Sequence, residues 1–237
     1  FKRHANAESA AAMSAYMKGH FPFFGIKTPQ RRELLKEHIA LFGAPEIHDL
    51  PAIARSAFAL PEREIHQVAI DLLMKNAKKL TPEHLPLLEE LIITKSWWDS
   101  VDALAVHAVG HILKKYPKEI TLWNKRWASS SDMWLNRTSI LFQLRWKADT
   151  DTELLFANID RQSKSQEFFI RKAIGWILRD TARRRPELVF AWLLPRAARA
   201  SGVTIREAVK YLDGQTAVKK TGSLGIRVQK LKPPGAD

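Results

Sequence analysis

No cysteine occurs among the 237 residues, which removes disulfides, thiolate zinc sites, iron–sulfur clusters and a cysteine nucleophile from the reading at once. A reducing, cytoplasmic setting is expected. No run of about 18 apolar residues is present, so no membrane helix is expected. The first residues, Phe1-Lys2-Arg3-His4, include neither an initiator methionine nor an apolar signal region, and the native N-terminus is expected to lie upstream. Glycine is scarce, at 10 residues, and no glycine-rich phosphate loop, Gly-x-Ser-x-Gly elbow or helix-hairpin-helix glycine pattern is found. Acidic residues are also in deficit: 25 Asp and Glu stand against 38 Lys and Arg, a formal charge of +13. Such an excess is the footprint of a polyanion binder, and nucleic acid is the leading partner over an inert basic protein or one that meets acidic proteins. The 46% hydrophobic content is enough to bury a core.

What the chain does contain is helical punctuation. Apolar residues recur at helical spacing, Thr28-Pro29 and Thr81-Pro82 read as starts and Gly43 reads as a stop. About twelve helices are expected, roughly at 7–20, 28–42, 51–59, 62–77, 81–93, 97–115, 117–128, 131–147, 150–161, 165–184, 186–200 and 204–213, with no convincing strand. Four segments that open long helices start at Arg63, Trp97, Trp134 and Phe168, at intervals of 34, 37 and 34 residues. A second register links Trp98, Arg137 and Trp176 at intervals of 39. Either spacing fits stacked helix pairs, each burying its apolar stripe against its neighbours, and predicts an all-α HEAT-like repeat solenoid with a concave basic groove. The repeat domain is expected over residues 1–213. Residues 214–237, rich in Gly, Lys, Ser and Pro, are expected to form a flexible basic tail.

The stretch Thr94-Lys95-Ser96-Trp97-Trp98-Asp99-Ser100-Val101-Asp102 places two indoles and two carboxylates within six positions. On a helix Trp98 and Asp102 are one turn apart and share a face, a flat π-surface beside an anion. That pairing suits a cationic base or a developing oxocarbenium ion. The competing reading is core filling by the indoles, with Asp99 answering the helix dipole. Further along, Lys172, Trp176 and Arg179 form a cation–aromatic–cation stripe fit to follow a phosphate backbone, or else an ordinary amphipathic helix with Trp176 turned inward. His107 and His111 are one turn apart, but Ala108-Val109-Gly110 between them lacks the glutamate of a metalloprotease, and no metal site is expected.

These strings, with Ile140-Leu141-Phe142-Gln143-Leu144, Glu167-Phe168-Phe169-Ile170, Lys172-Ala173-Ile174-Gly175-Trp176, Tyr16-Met17-Lys18, Gly25-Ile26, Thr28-Pro29 and Arg31-Arg32, resemble the AlkD family of alkylpurine DNA glycosylases. The resemblance runs to about residue 213. It implies a HEAT-like solenoid that holds duplex DNA and hydrolyses the N-glycosidic bond of N3- or N7-alkylated purines as a monomer without cofactor. By the same resemblance Asp102 is the essential carboxylate, Trp98 and Trp176 are aromatic walls around the lesion, and Arg137 and Tyr16 are DNA contacts. Lys172, Arg179 and Lys95 are expected at the phosphates. The sequence departs from the family pattern at Lys27, Asn136 and Arg171. An alkylated purine is already cationic and leaves as a neutral base, so one carboxylate suffices to stabilise the sugar cation and position water. The rival readings are a non-catalytic DNA- or RNA-binding repeat scaffold and a protein-interaction scaffold.

Overall fold

The computed structural model describes residues 1–196, 200–211, 216–221 and 225–230. Its helices are α1 (Ala7–Tyr16), α2 (Thr28–Phe42), α3 (Leu50–Ala59), α4 (Arg63–Lys75), α5 (Leu85–Ile93), α6 (Trp98–Ala103), α7 (Gly110–Lys115), α8 (Ile120–Ala128), α9 (Met133–Leu141), α10 (Thr152–Gln162), α11 (Phe168–Ala182), α12 (Pro186–Leu193) and α13 (Gly202–Ala208). The chain divides into two compact units, Phe1–Glu119 and Ile120–Asp237. Between α6 and α7 the backbone stays helical but widens to π geometry over Leu104–Val109, so the helix expected at 97–115 runs through as one rod. The ends of the helices expected at 186–200 and 204–213 fall partly outside the described residues.

The local signals act as anticipated, with one shift. Gly43 ends α2 at a φ of 86°, a backbone state that costs a residue without Cβ little. Thr81 caps the short 3₁₀ turn that leads into α5, paired with His84. At α2, however, Lys27 is the cap, and Thr28 and Pro29 are already helical. Proline fits there because a first-turn N–H has no helical acceptor to lose.

The repeat is more regular than either spacing read from the sequence. The second helices of successive pairs, α4, α6, α9 and α11, begin at residues 63, 98, 133 and 168, a constant interval of 35. The 3₁₀ turns at Ile47, Pro82 and Pro117, followed by α10 at Thr152, open the first helices at the same interval. The 39-residue spacing is this period plus roughly one helical turn, so Trp98, Arg137 and Trp176 climb a turn per repeat. Hydrogen bonds within each unit carry the same period. Arg55 grips Glu90 across 35 positions, Arg63 grips Asp99 across 36, the Asn124 and Asn158 amides pair across 34, and Arg196 reaches Asp160 across 36.

In the first unit Leu73, Leu80, Leu85, Leu88, Ile92 and Leu104 are fully enclosed, and in the second Trp127, Phe142, Leu178 and Leu193 are. Each such side chain stabilises its unit by about 1.5–3 kcal/mol through area removed from water. The described chain is all helix as far as Tyr211. Beyond it, two strands appear where none was expected: β1 (Thr216–Thr221) and β2 (Gly225–Lys230) pair antiparallel, with Val218 opposite Val228. The hairpin falls within the stretch expected to form a flexible basic tail. Ile226 and Val228 alternate with Arg227 and Gln229, the period-two pattern of a strand, which the surrounding Gly, Lys and Pro obscure. The other residues of 214–237 lie outside the described ones.

Candidate nucleic-acid site

In the first unit the candidate residues are positioned by two adjacent buried charges at the start of α4. Glu64 is 1% exposed and accepts hydrogen bonds from the backbone N–H groups of Phe24, Gly25 and Ile26 at 3.1, 2.8 and 3.0 Å. Three donors satisfy a carboxylate that would otherwise be costly to bury. Gly25 is required there: at a φ of 86°, an added Cβ would fall 2.1 Å from the Asn6 carbonyl oxygen. The loop is thereby fixed against α1, whose N-terminus Asn6 caps through Ser9 N–H.

Arg63, fully buried, holds α6. Its guanidinium makes a two-pronged bond to Asp99 at 2.6 and 3.0 Å, donates to Ser100 Oγ and the Lys95 carbonyl, and lies 3.9 Å over the Phe21 ring. Gln67 donates to the same Asp99 at 2.6 Å. Asp99 is therefore spent on the scaffold. The consequence is that α1 and α6 meet: the ring of Tyr16, 69% exposed, stands edge-on to Trp98 with centroids 6.0 Å apart, and His20 lies against Trp97 at 4.0 Å. Asp102 follows Trp98 by one turn, half-buried, two residues before the π segment. Helices widened in this way recur at functional sites. Of the two carboxylates of the tryptophan string, Asp99 anchors the helix, and Asp102 lies on the same helix face as Trp98.

Lys95 occupies a different place from the one expected. Its ammonium donates to the Ala59 and Leu60 carbonyls at 3.2 and 2.5 Å, closing the C-terminus of α3, and its backbone is left-handed at a φ of 47°. His66 completes this network, with Nε2 on the Leu60 carbonyl at 2.7 Å and Nδ1 facing Arg63. Burial first, then the charges of Arg63 and Lys95, outweigh the Leu60 carbonyl and push its pKa down from 6.5 to about 4. A histidine whose folded pKa is depressed contributes stability above the unfolded pKa, and that contribution disappears as pH falls through the folded value. The first unit should therefore lose on the order of 3 kcal/mol between pH 6.5 and about 4. Urea unfolding across that window should show the slope, and His66→Gln should flatten it; parallel curves for the two proteins would rule out His66 as its source.

In the second unit α11 carries the expected stripe. Lys172 is exposed, with its ammonium 5.7 Å over the Phe168 ring, and Trp176 and Arg179 are half-buried on the same face. Gly175 lets α13 approach that helix, since a Cβ there would lie 2.7 Å from Glu207 Cβ. Arg179 pairs with Glu207 at 2.6 Å. Burial works against the Glu207 carboxylate, but Lys210, Arg179 and Lys172 prevail and hold its pKa below the ordinary glutamate value. Arg137 is buried rather than surface-standing, at 2% exposure; it donates to the Phe169 carbonyl and lies 5.9 Å from that ring, tying α9 to α11. The sequence reading missed Arg63 and Glu64 as positioning residues, although the repeat opener beginning at Arg63 marked their place.

Comparison with known proteins bears on family and fold. A family model for DNA alkylation repair enzymes matches residues 1–212. Among solved structures, a protein from Enterococcus faecalis described as a predicted DNA alkylation repair enzyme is similar over 89% of this chain and 97% of its own, with 32% identity and a TM-score of 0.81. AlkD2 from Streptococcus mutans shares 18% identity over 77% of this chain and 90% of its own, with a TM-score of 0.59. The protein smu.31 from Streptococcus mutans UA159 is similar over 77% of this chain and 92% of its own, with the same identity and TM-score. At that identity the last two speak for the fold, the helical repeat of AlkD. No curated protein matches the sequence. The chain belongs to the DNA alkylation repair enzyme family.

Proposed function

We propose that this chain is a monofunctional DNA glycosylase that removes cationic N3- and N7-alkylated purines from duplex DNA, acting as a monomer without cofactor or metal. The observation that carries the reading is the geometry of α6, where half-buried Asp102 shares a helix face with Trp98, whose indole meets exposed Tyr16. In this mechanism the indole faces of Trp98 and Trp176 favour the cationic nucleotide. As the glycosidic bond stretches, the base departs neutral and positive charge gathers on the sugar, where Asp102 stabilises it and orients the attacking water. Lys172 and Arg179 contact phosphates along a basic groove, Tyr16 touches the lesion strand, and Arg137 braces α11 from below. Lys95 is left out of the contact set because its ammonium already holds the end of α3.

The test is incubation with duplex DNA containing a single N7-methylguanine, followed by alkaline cleavage of abasic sites. Strand scission at the lesion supports the reading. Binding without scission would favour the non-catalytic scaffold. Undamaged duplex should bind with little sequence preference and lose affinity steeply with salt. If about four cations meet phosphates, log K should fall against log salt with a slope of roughly −3 to −4, read by fluorescence anisotropy. A flat salt dependence would remove the phosphate-tracking groove from the proposal.

A further inference from the structure

The second unit contains a cavity of about 650 Å³ that shares no lining residue with the proposed reaction site. It opens between the turn joining α10 to α11 and the entry to α13, over the buried side chains of Ile174 and Trp192. Its size falls in the range of small-molecule sites. Its charge is lopsided. Lys164, Arg171 and Arg196 line it against one carboxylate, Asp160, which accepts both prongs of Arg196 and the Trp192 indole N–H, each at 2.9 Å.

Arg171 is different. Its Nε donates to the Ser165 carbonyl at 2.9 Å and a terminal nitrogen to Gln166 Oε1, so the half-buried guanidinium is fixed in place by neutral acceptors. Lys164, on the same turn, has no carboxylate partner among the described residues. A surplus cation kept for solubility explains an exposed lysine. It does not explain an arginine held by two acceptors at the wall of a cavity, which is how a fork for an oxyanion is preorganised. Arg171 is also a point of departure from the family pattern, so the resemblance does not supply this site.

We propose that the cavity binds a phosphate-bearing ligand of mononucleotide size. The phosphate lies against Arg171 and Lys164, and the rest of the ligand lies over Trp192 and Ile174. The same chemistry is offered by a free nucleotide and by a phosphate of a DNA strand. Isothermal titration of the full-length protein with deoxyadenosine 5′-monophosphate and with deoxyadenosine should show binding of the first, with the unphosphorylated nucleoside weaker by at least roughly tenfold. Arg171→Gln should weaken the nucleotide by a similar factor. Lys164→Gln, at an exposed position where folding is not at issue, should weaken it by a smaller factor. An undamaged 12-base-pair duplex that displaces the nucleotide identifies a DNA strand as the source of the phosphate; failure to displace it identifies a free nucleotide. Equal binding of nucleotide and nucleoside, binding of neither, or wild-type affinity in both variants would overturn the site. None of these readouts depends on excision activity, so loss of the glycosylase reading would leave this result standing.

Discussion

Asp102→Asn is expected to leave duplex affinity within about twofold of the wild type and to slow excision of N7-methylguanine by about a hundredfold or more. The substitution keeps shape and hydrogen-bonding capacity but removes the charge that the proposed mechanism sets against the forming sugar cation, and a loss of a few kcal/mol of transition-state stabilisation is a hundredfold or larger in rate. Single-turnover kinetics with enzyme in excess separates this from binding and product release. The wild type should also prefer cationic lesions to neutral ones such as uracil or hypoxanthine, whose departure needs a protonation that the proposed mechanism does not supply. Asp102→Asn cleaving at the wild-type rate would return the carboxylate to a structural role and remove the mechanism.

The second large effect concerns stability. Arg63→Met should destabilise the protein by about 3–5 kcal/mol, because the guanidinium is fully buried and its loss strands the Asp99 carboxylate, only 11% exposed, without its main partner. Asp99→Asn should cost less alone. Combined with Arg63→Met it should recover part of the loss, since no charge then remains to be satisfied. Urea denaturation of the two single variants and the double variant closes the cycle. Purely additive losses would show that the two residues do not act as a pair. Because Arg63 also holds Lys95 and Ser100, excision should fall along with stability in Arg63→Met even where the protein remains folded.

The helices were legible in the sequence because their signals are local: apolar spacing, Pro and Thr at starts, Gly43 at a stop. The period was legible only approximately. Trp97 and Trp134 served as landmarks by their bulk, yet the helices begin at Trp98 and Met133, one residue after the first and one before the second. Asp102 and Trp98 were legible because both sit on one helix, where spacing alone fixes their relation. Lys95 and Arg137 were harder to place. A cation in a sequence reveals its charge but not its acceptor, and these two turn toward protein carbonyls that lie 32 to 36 residues away. Arg63 and Glu64 were hidden for the same reason. At a helix start they look like a solvated first turn, and only the loop at Phe24–Ile26 and the carboxylate of Asp99, both distant in the chain, reveal that water is excluded.

The constant interval of 35 has a consequence for heredity. Counting from the starts of the second helices, Gln67, Asp102, Arg137 and Lys172 occupy the same position in four successive repeats. One position therefore carries an amide, a carboxylate, a guanidinium and an ammonium in turn, and only one of the four suits the proposed chemistry. Asp99, Arg63 and Glu64, which secure the fold around it, are separate residues. On the proposed mechanism a single codon, the one for position 102, decides whether such an array excises, while the residues that secure the fold are inherited unchanged.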